Sequence, residues 1–122
     1  MNTTQVVAAS VSLLVLDAIW LQGYLLKPFS AMIKDVQKEP MNVRMTGVII
    51  AYTALLALAI VFLPKTNNYF EAFLLGFCLY AVYDGTNYAT LSQWDGSIAI
   101  MDSLWGGVLF LLLKIIIDQL KK

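Results

Sequence analysis

Four runs of mostly apolar residues occupy most of this 122-residue chain. Each is about as long as the roughly 20-residue helix that crosses a bilayer. They extend from about Thr3 to Leu26, Val43 to Leu63, Tyr69 to Leu91 and Ile98 to Asp118. A backbone in lipid has to satisfy its own hydrogen bonds, so runs of this length predict helices and not open strands. The connections from Pro64 to Asn68 and from Ser92 to Ser97 are short, which makes neighbouring helices antiparallel. The expected fold is all-α: one domain over residues 1–122, an integral, multi-pass membrane bundle of four transmembrane helices. The first run has no basic residue before it and carries Asp17 in its apolar core, so it reads as a retained span and not a cleaved signal peptide.

Composition narrows the function classes. Hydrophobic residues make up 60% of the chain and charged residues 13%, against about 45–50% and 25% in soluble domains. Eight basic residues balance eight acidic ones, which gives no basic footprint for nucleic acid. With no His and a single Cys, disulfide scaffolds, zinc sites, His-ligated haem and Ser-His-Asp triads are excluded. No cofactor is expected, and the lipid bilayer is the expected partner.

The connection between the first two runs has a pattern of its own. Phe29, Met32, Ile33 and Val36 recur at helical spacing, with Lys34, Asp35, Gln37, Lys38 and Glu39 on the other face. Pro28 suits a first turn and Pro40 a stop. This predicts a short amphipathic interfacial helix over about 28–39, either a connector or a lid over a cavity. Its side of the membrane holds Lys27, Lys34, Lys38 and Arg44. The opposite side holds Lys65, Lys114, Lys121 and Lys122, a near tie that leans to the side of the long connection as cytoplasmic.

The ionisable residues inside the runs are the informative ones. Asp17, Asp84 and Asp102 each cost roughly 2.5–3.5 kcal/mol at a helix centre on insertion scales, so they are expected to face the bundle interior or water, with partners. At 1.5 Å per residue they lie about 15, 10 and 7 Å from the side of the long connection, and so converge in one half of the bundle. On the third run Tyr80, Asp84 and Asn87 share a face, and Tyr83, Thr86, Asn87 and Thr90 form a second polar edge. Trp20 and Trp105 each follow an Asp by three residues, and their indole N–H can donate to that carboxylate or to a neighbour's. Arg44 is a candidate counter-charge. Leu16-Asp17-Ala18-Ile19-Trp20 is echoed, in an oppositely directed helix, by Met101-Asp102-Ser103-Leu104-Trp105. Small residues four apart (Ala8/Ser12, Thr53/Ala57, Gly85/Ala89, Ser103/Gly107) suit close helix approach.

These motifs carry a resemblance over essentially the whole chain. The segments Leu16–Leu21, Tyr83–Leu91 with Trp94, and Asp102–Gly106 are similar in order and spacing to the small predicted membrane proteins of domain of unknown function 2177. The middle motif is the most specific, and departs from the family form at Gly85 and Tyr88, where the family has Leu. The resemblance implies four spans and assigns no activity.

Three functions remain open. A small transporter or channel for protons, cations or a small polar solute would use the carboxylates to hold and exchange a positive charge beside aromatic faces. Asp17, Asp84, Asp102, Asn87, Trp20, Trp105, Tyr80, Tyr83 and Thr86 are its candidate ligands. Four helices enclose little space, so a homo-oligomer is expected. A non-catalytic scaffold with a structural polar network is the alternative. A Mg²⁺-dependent lipid-modifying enzyme using the same carboxylates comes third, since neither a dense acidic motif nor a His is present. Lys114 is expected to pair with Asp118, Cys78 to act as a small packing residue, and the Asn2-Thr3-Thr4 sequon to stay unused.

Overall fold

The computed structural model describes residues 1–121; Lys122, counted above among the basic residues, lies outside them. The described residues fold as α-helices without strands: α1 (Thr3–Trp20), a π-helical turn (Leu21–Leu25), α2 (Leu26–Gln37), α3 (Met45–Phe62), a 3₁₀ turn (Leu63–Lys65), α4 (Tyr69–Thr90) and α5 (Gly96–Gln119). Three helical runs, Thr3–Gln37, Met45–Lys65 and Gly96–Gln119, are long and apolar enough to cross a membrane. Where four were expected, α4 is not among them. Its 22 residues are length enough, but Glu71, Asp84, Asn87 and four tyrosines dilute its apolar character.

Local chemistry sets the ends of the helices. Asn2 caps α1, its Oδ1 accepting from Gln5 N at 2.8 Å while Gln5 Oε1 accepts from Asn2 N at 3.0 Å. The Asn of the sequon is thereby used as a cap. Asn68 caps α4 by accepting from Glu71 N at 2.9 Å, and Asp95 caps α5 by accepting from Ser97 N at 2.7 Å. Lys38 closes α2 in the left-handed region (φ 64°), just ahead of Pro40.

The amphipathic stretch is helical with its apolar face inward, as expected, but it is not a separate element. It continues α1 without a break through the π turn, in which Leu26 N donates to Leu21 O, five residues back. Pro28 lacks an N–H and crowds the carbonyl four residues before it, and a π turn ahead of it relieves that crowding. The contacts keep α1–α2 antiparallel to α5 along its length. Gln5 Nε2 donates to Ile117 O at 2.9 Å near one end, and Asp95 N donates to Met32 Sδ at 3.1 Å near the other. The continuous helix of 35 residues is about 52 Å long at 1.5 Å per residue, well beyond a hydrocarbon core of about 30 Å.

Antiparallel α4 and α5 form the tightest pair, locked by glycine. A Cβ on Gly76 would lie 2.1 Å from Gly106 O, and one on Gly106 would lie 2.4 Å from the Tyr80 ring. Gly107 admits the Phe73 ring in the same way. Of the small-residue pairs expected from spacing, Gly107 is used, whereas Gly85 faces open space. The dry core, including Leu13, Leu63, Leu109, Phe110 and Leu113, fills the half of the bundle away from the carboxylates. Large apolar side chains such as Ile50, Phe70 and Val82 stand outside, exposed as a lipid-facing surface requires. Cys78 is exposed too, and so is not the packing residue its position suggested. Lys114 pairs with Asp118 as expected, at 3.7 Å, and is buried, also donating to Thr66 O at 3.2 Å.

Gly76→Ala and Gly106→Ala should each destabilise the fold by about 1–3 kcal/mol, the usual cost of overpacking. Gly85→Ala, with nothing within 4 Å of the new methyl, should be neutral or slightly stabilising. Thermal unfolding in detergent, followed by circular dichroism, separates the two outcomes.

Candidate functional site

Asp17 is buried in the middle of the bundle and takes donors from all three other long helices. Trp105 Nε1 of α5 donates to Oδ1 at 2.9 Å, and Tyr80 of α4 donates to the same oxygen at 3.3 Å. The Tyr52 hydroxyl of α3 donates to Oδ2. Three neutral donors on one carboxylate satisfy most of its acceptor capacity without a positive charge.

The echoed motifs meet across the α1–α5 interface. Trp20 and Trp105 stack with ring centroids 5.2 Å apart and planes 9° from parallel. Each indole serves the other helix: Trp105 donates to Asp17, and Trp20 neighbours Asp102. The likeness of the two motifs therefore has a spatial meaning, as an approximate two-fold between antiparallel helices. It is incomplete, because Trp20 Nε1 is buried without a hydrogen-bond partner whereas Trp105 has one.

Asp84 and Asp102 form a second, differently served group. Asp84 is 1% exposed, beside Asp102 and Trp94, yet neither of its oxygens has a hydrogen-bond partner. Asp102 is 7% exposed and lies between Asp84 on one side and Trp20 and Asp17 on the other. Arg44, the proposed counter-charge, is exposed at the start of α3, and among the described residues the one ion pair is Lys114–Asp118. Lys114 stands three turns along α5 from Asp102, about 18 Å away. The carboxylates thus have no basic side chain against them.

A cavity of about 450 Å³ opens beside them, walled by α1 and its π turn, by α3, and by α4, with Asp102 reaching in from α5. Asp17, Asp102, Trp20, Tyr52, Tyr80 and Tyr83 give it its polar and much of its aromatic surface, and leucines of the π turn, α3 and α4 with Phe29 and two alanines of α3 form the rest. Its size lies in the range of small-molecule pockets.

Most of the residues expected from the sequence are here, with corrections. Asp17, Asp84, Asp102, Trp20, Trp105, Tyr80 and Tyr83 gather at one level. Thr86 does not join them: it is exposed, and its hydroxyl donates back to Val82 O at 2.6 Å. Thr90 does the same to Thr86 O at 3.0 Å, a local habit of Thr in helices. Asn87 is half-buried next to Tyr83 and does not line the cavity. Two residues escaped the sequence reading. Tyr52 is a lone phenol in mid-span of an apolar run, and that was the available signal. Trp94, present in the sequence only as part of the family motif, is 5% exposed and packs edge-on to Phe29 and Tyr83 beside Asp84.

The chain belongs to the DUF2177 family of predicted membrane proteins. The family model matches residues 2–116 and so takes in the whole cluster and the cavity. No curated protein and no solved structure matches the chain. As a DUF2177 member with three helices long and apolar enough to span, it is an integral membrane protein. Among the described residues no three acidic side chains come together as metal ligands.

Removing single donors to Asp17 tests the hub. Tyr52→Phe and Trp105→Phe should each lower stability by about 1–3 kcal/mol, as expected when a buried acceptor loses a partner. Thr86→Ala should change it by less than about 0.5 kcal/mol. Denaturation midpoints in one detergent would rank the three.

Proposed function

We propose that this protein is a small transporter or channel that passes protons, cations or a small polar solute by way of the Asp84–Asp102 pair. In this reading α4 is the fourth span, held at the depth of α5 by the glycine contacts. Beyond the hydrocarbon layer, α2 covers the carboxylate end of the bundle as a lid, through Phe29 and Met32. Four helices enclose a single small site, so the working unit is a homo-oligomer.

One observation carries the reading. Asp84 is buried to 1% exposure with both oxygens unpartnered, beside a second buried carboxylate. An arrangement selected only to join helices would satisfy its polar atoms, as it does at Asp17. An unpartnered carboxylate in an apolar interior is costly, and such residues mark ion and proton paths. Two buried carboxylates side by side can share a proton or hold a cation between them.

Asp17 itself supports the second reading, a scaffold whose polar network fixes helix packing. Its three donors from three helices suit a structural joint. The two readings differ in what Asp84 does. In proteoliposomes, proton or cation flux in the wild type should fall at least about tenfold in Asp84→Asn, with the folded fraction unchanged. Absence of flux across a panel of ions and organic cations would leave the scaffold.

A further inference from the structure

We propose that the cavity between α1, α3 and α4 binds a protonated amphipathic amine. Its ammonium group meets Asp102 and Asp17, and its apolar body lies along Leu21, Leu55 and Leu58. This deepens the transport reading by naming a substrate class, and rests on it only for the step from binding to passage.

Charge is the first reason. Asp17, Asp84 and Asp102 lie together with no basic side chain against them, since Arg44 is exposed and Lys114 is engaged with Asp118 and Thr66. A positive group brought by a ligand supplies what the chain withholds.

Hydrogen bonding narrows the class further. Asp102 lines the cavity at 7% exposure, and the indole beside it, Trp20 Nε1, makes no hydrogen bond. A buried carboxylate calls for donors as well as charge. An ammonium with N–H groups provides both, whereas a quaternary ammonium provides charge alone. An alkyl amine, like the lysine side chain with its pKa of about 10.4, is protonated at neutral pH. Tyr80, Tyr83 and Trp20 present ring faces around the same space, which favours a cation there.

Shape supplies the apolar half of the molecule. The cavity holds about 450 Å³ and its walls are mostly leucine and aromatic carbon, so a small inorganic ion would leave most of it empty. Tyr83, at its edge, is 51% exposed. An amphipathic amine already dissolved in the bilayer can enter beside Tyr83, between α3 and α4, without crossing the aqueous ends.

The test uses the full chain in lipid nanodiscs, with binding read by equilibrium dialysis against protein-free nanodiscs to remove partitioning. The probes are 4-phenylbutylamine, its trimethylammonium analogue and the neutral 4-phenylbutanol. The amine should bind saturably and at least about tenfold more tightly than the alcohol, with the quaternary compound in between. Asp102→Asn should weaken the amine by a similar factor and leave the alcohol unchanged. Leu58→Trp, which fills the cavity without touching a carboxylate, should abolish binding of all three, and it carries the test if Asp102→Asn does not fold. Equal affinity for amine and alcohol would overturn the proposal in favour of a lipid-tail groove. Undiminished binding to Leu58→Trp, or a stable dimer whose contact closes the α3–α4 opening and excludes the amine, would overturn it as well. Amine binding without flux in proteoliposomes would remove the transport reading and leave the site. Flux of other cations without amine binding would do the reverse.

Discussion

The carboxylate of Asp17 is the joint on which the arrangement of the other helices depends. An apolar helix in lipid gains little from packing on another apolar helix, because the lipid is as apolar as its neighbour. Directional bonds then decide which helices meet and at what level. Tyr52, Tyr80 and Trp105 bring α3, α4 and α5 to one point on α1. For α3, whose outer face carries exposed Ile49 and Ile50, the phenol supplies the polar attachment to the bundle.

Around that joint the molecule divides by depth. Below it, Gly76, Gly106 and Gly107 let α4 and α5 touch backbone to backbone, and the dry core closes over Leu109 to Leu113. Beside it the helices part enough to leave the cavity, and above it the buried polar atoms are no longer all served. The closest helix packing lies in one half, and the unpartnered carboxylate of Asp84 in the other.

The stacked Trp20–Trp105 pair links the two halves. It places the repeated Asp-x-x-Trp motifs face to face, so that each ring reaches the partner helix's carboxylate side. At Asp17 the ring completes the joint; at Asp102 it stops short of a bond and leaves the cavity wall open to a donor from outside. Two pentapeptides that share their Asp and Trp thus have different roles, because α3 and α4 present phenols to one carboxylate and α4 presents a second acid, Asp84, to the other.

Much of this was legible without coordinates. Run length and composition determine an all-helical membrane protein, because lipid forbids unpaired backbone. The positions of Asp17, Asp84 and Asp102 along antiparallel runs determine that they converge, because depth follows from residue count. The amphipathic face of α2 and the pairing of Lys114 with Asp118 follow from helical periodicity. Sequence alone does not determine which donor meets which acceptor. Tyr52 and Trp94 took their places, and Thr86 lost its own, through rotations of whole helices that no local pattern encodes. The continuity of α1 into α2 was decided by the π turn ahead of Pro28, where a local signal for a new helix start yielded to packing against Trp94 and Asp95. The glycine contacts of α4 and α5 and the cavity beside Asp102 likewise belong to the tertiary structure. They depend on how closely two surfaces approach, and spacing along one chain does not carry that distance.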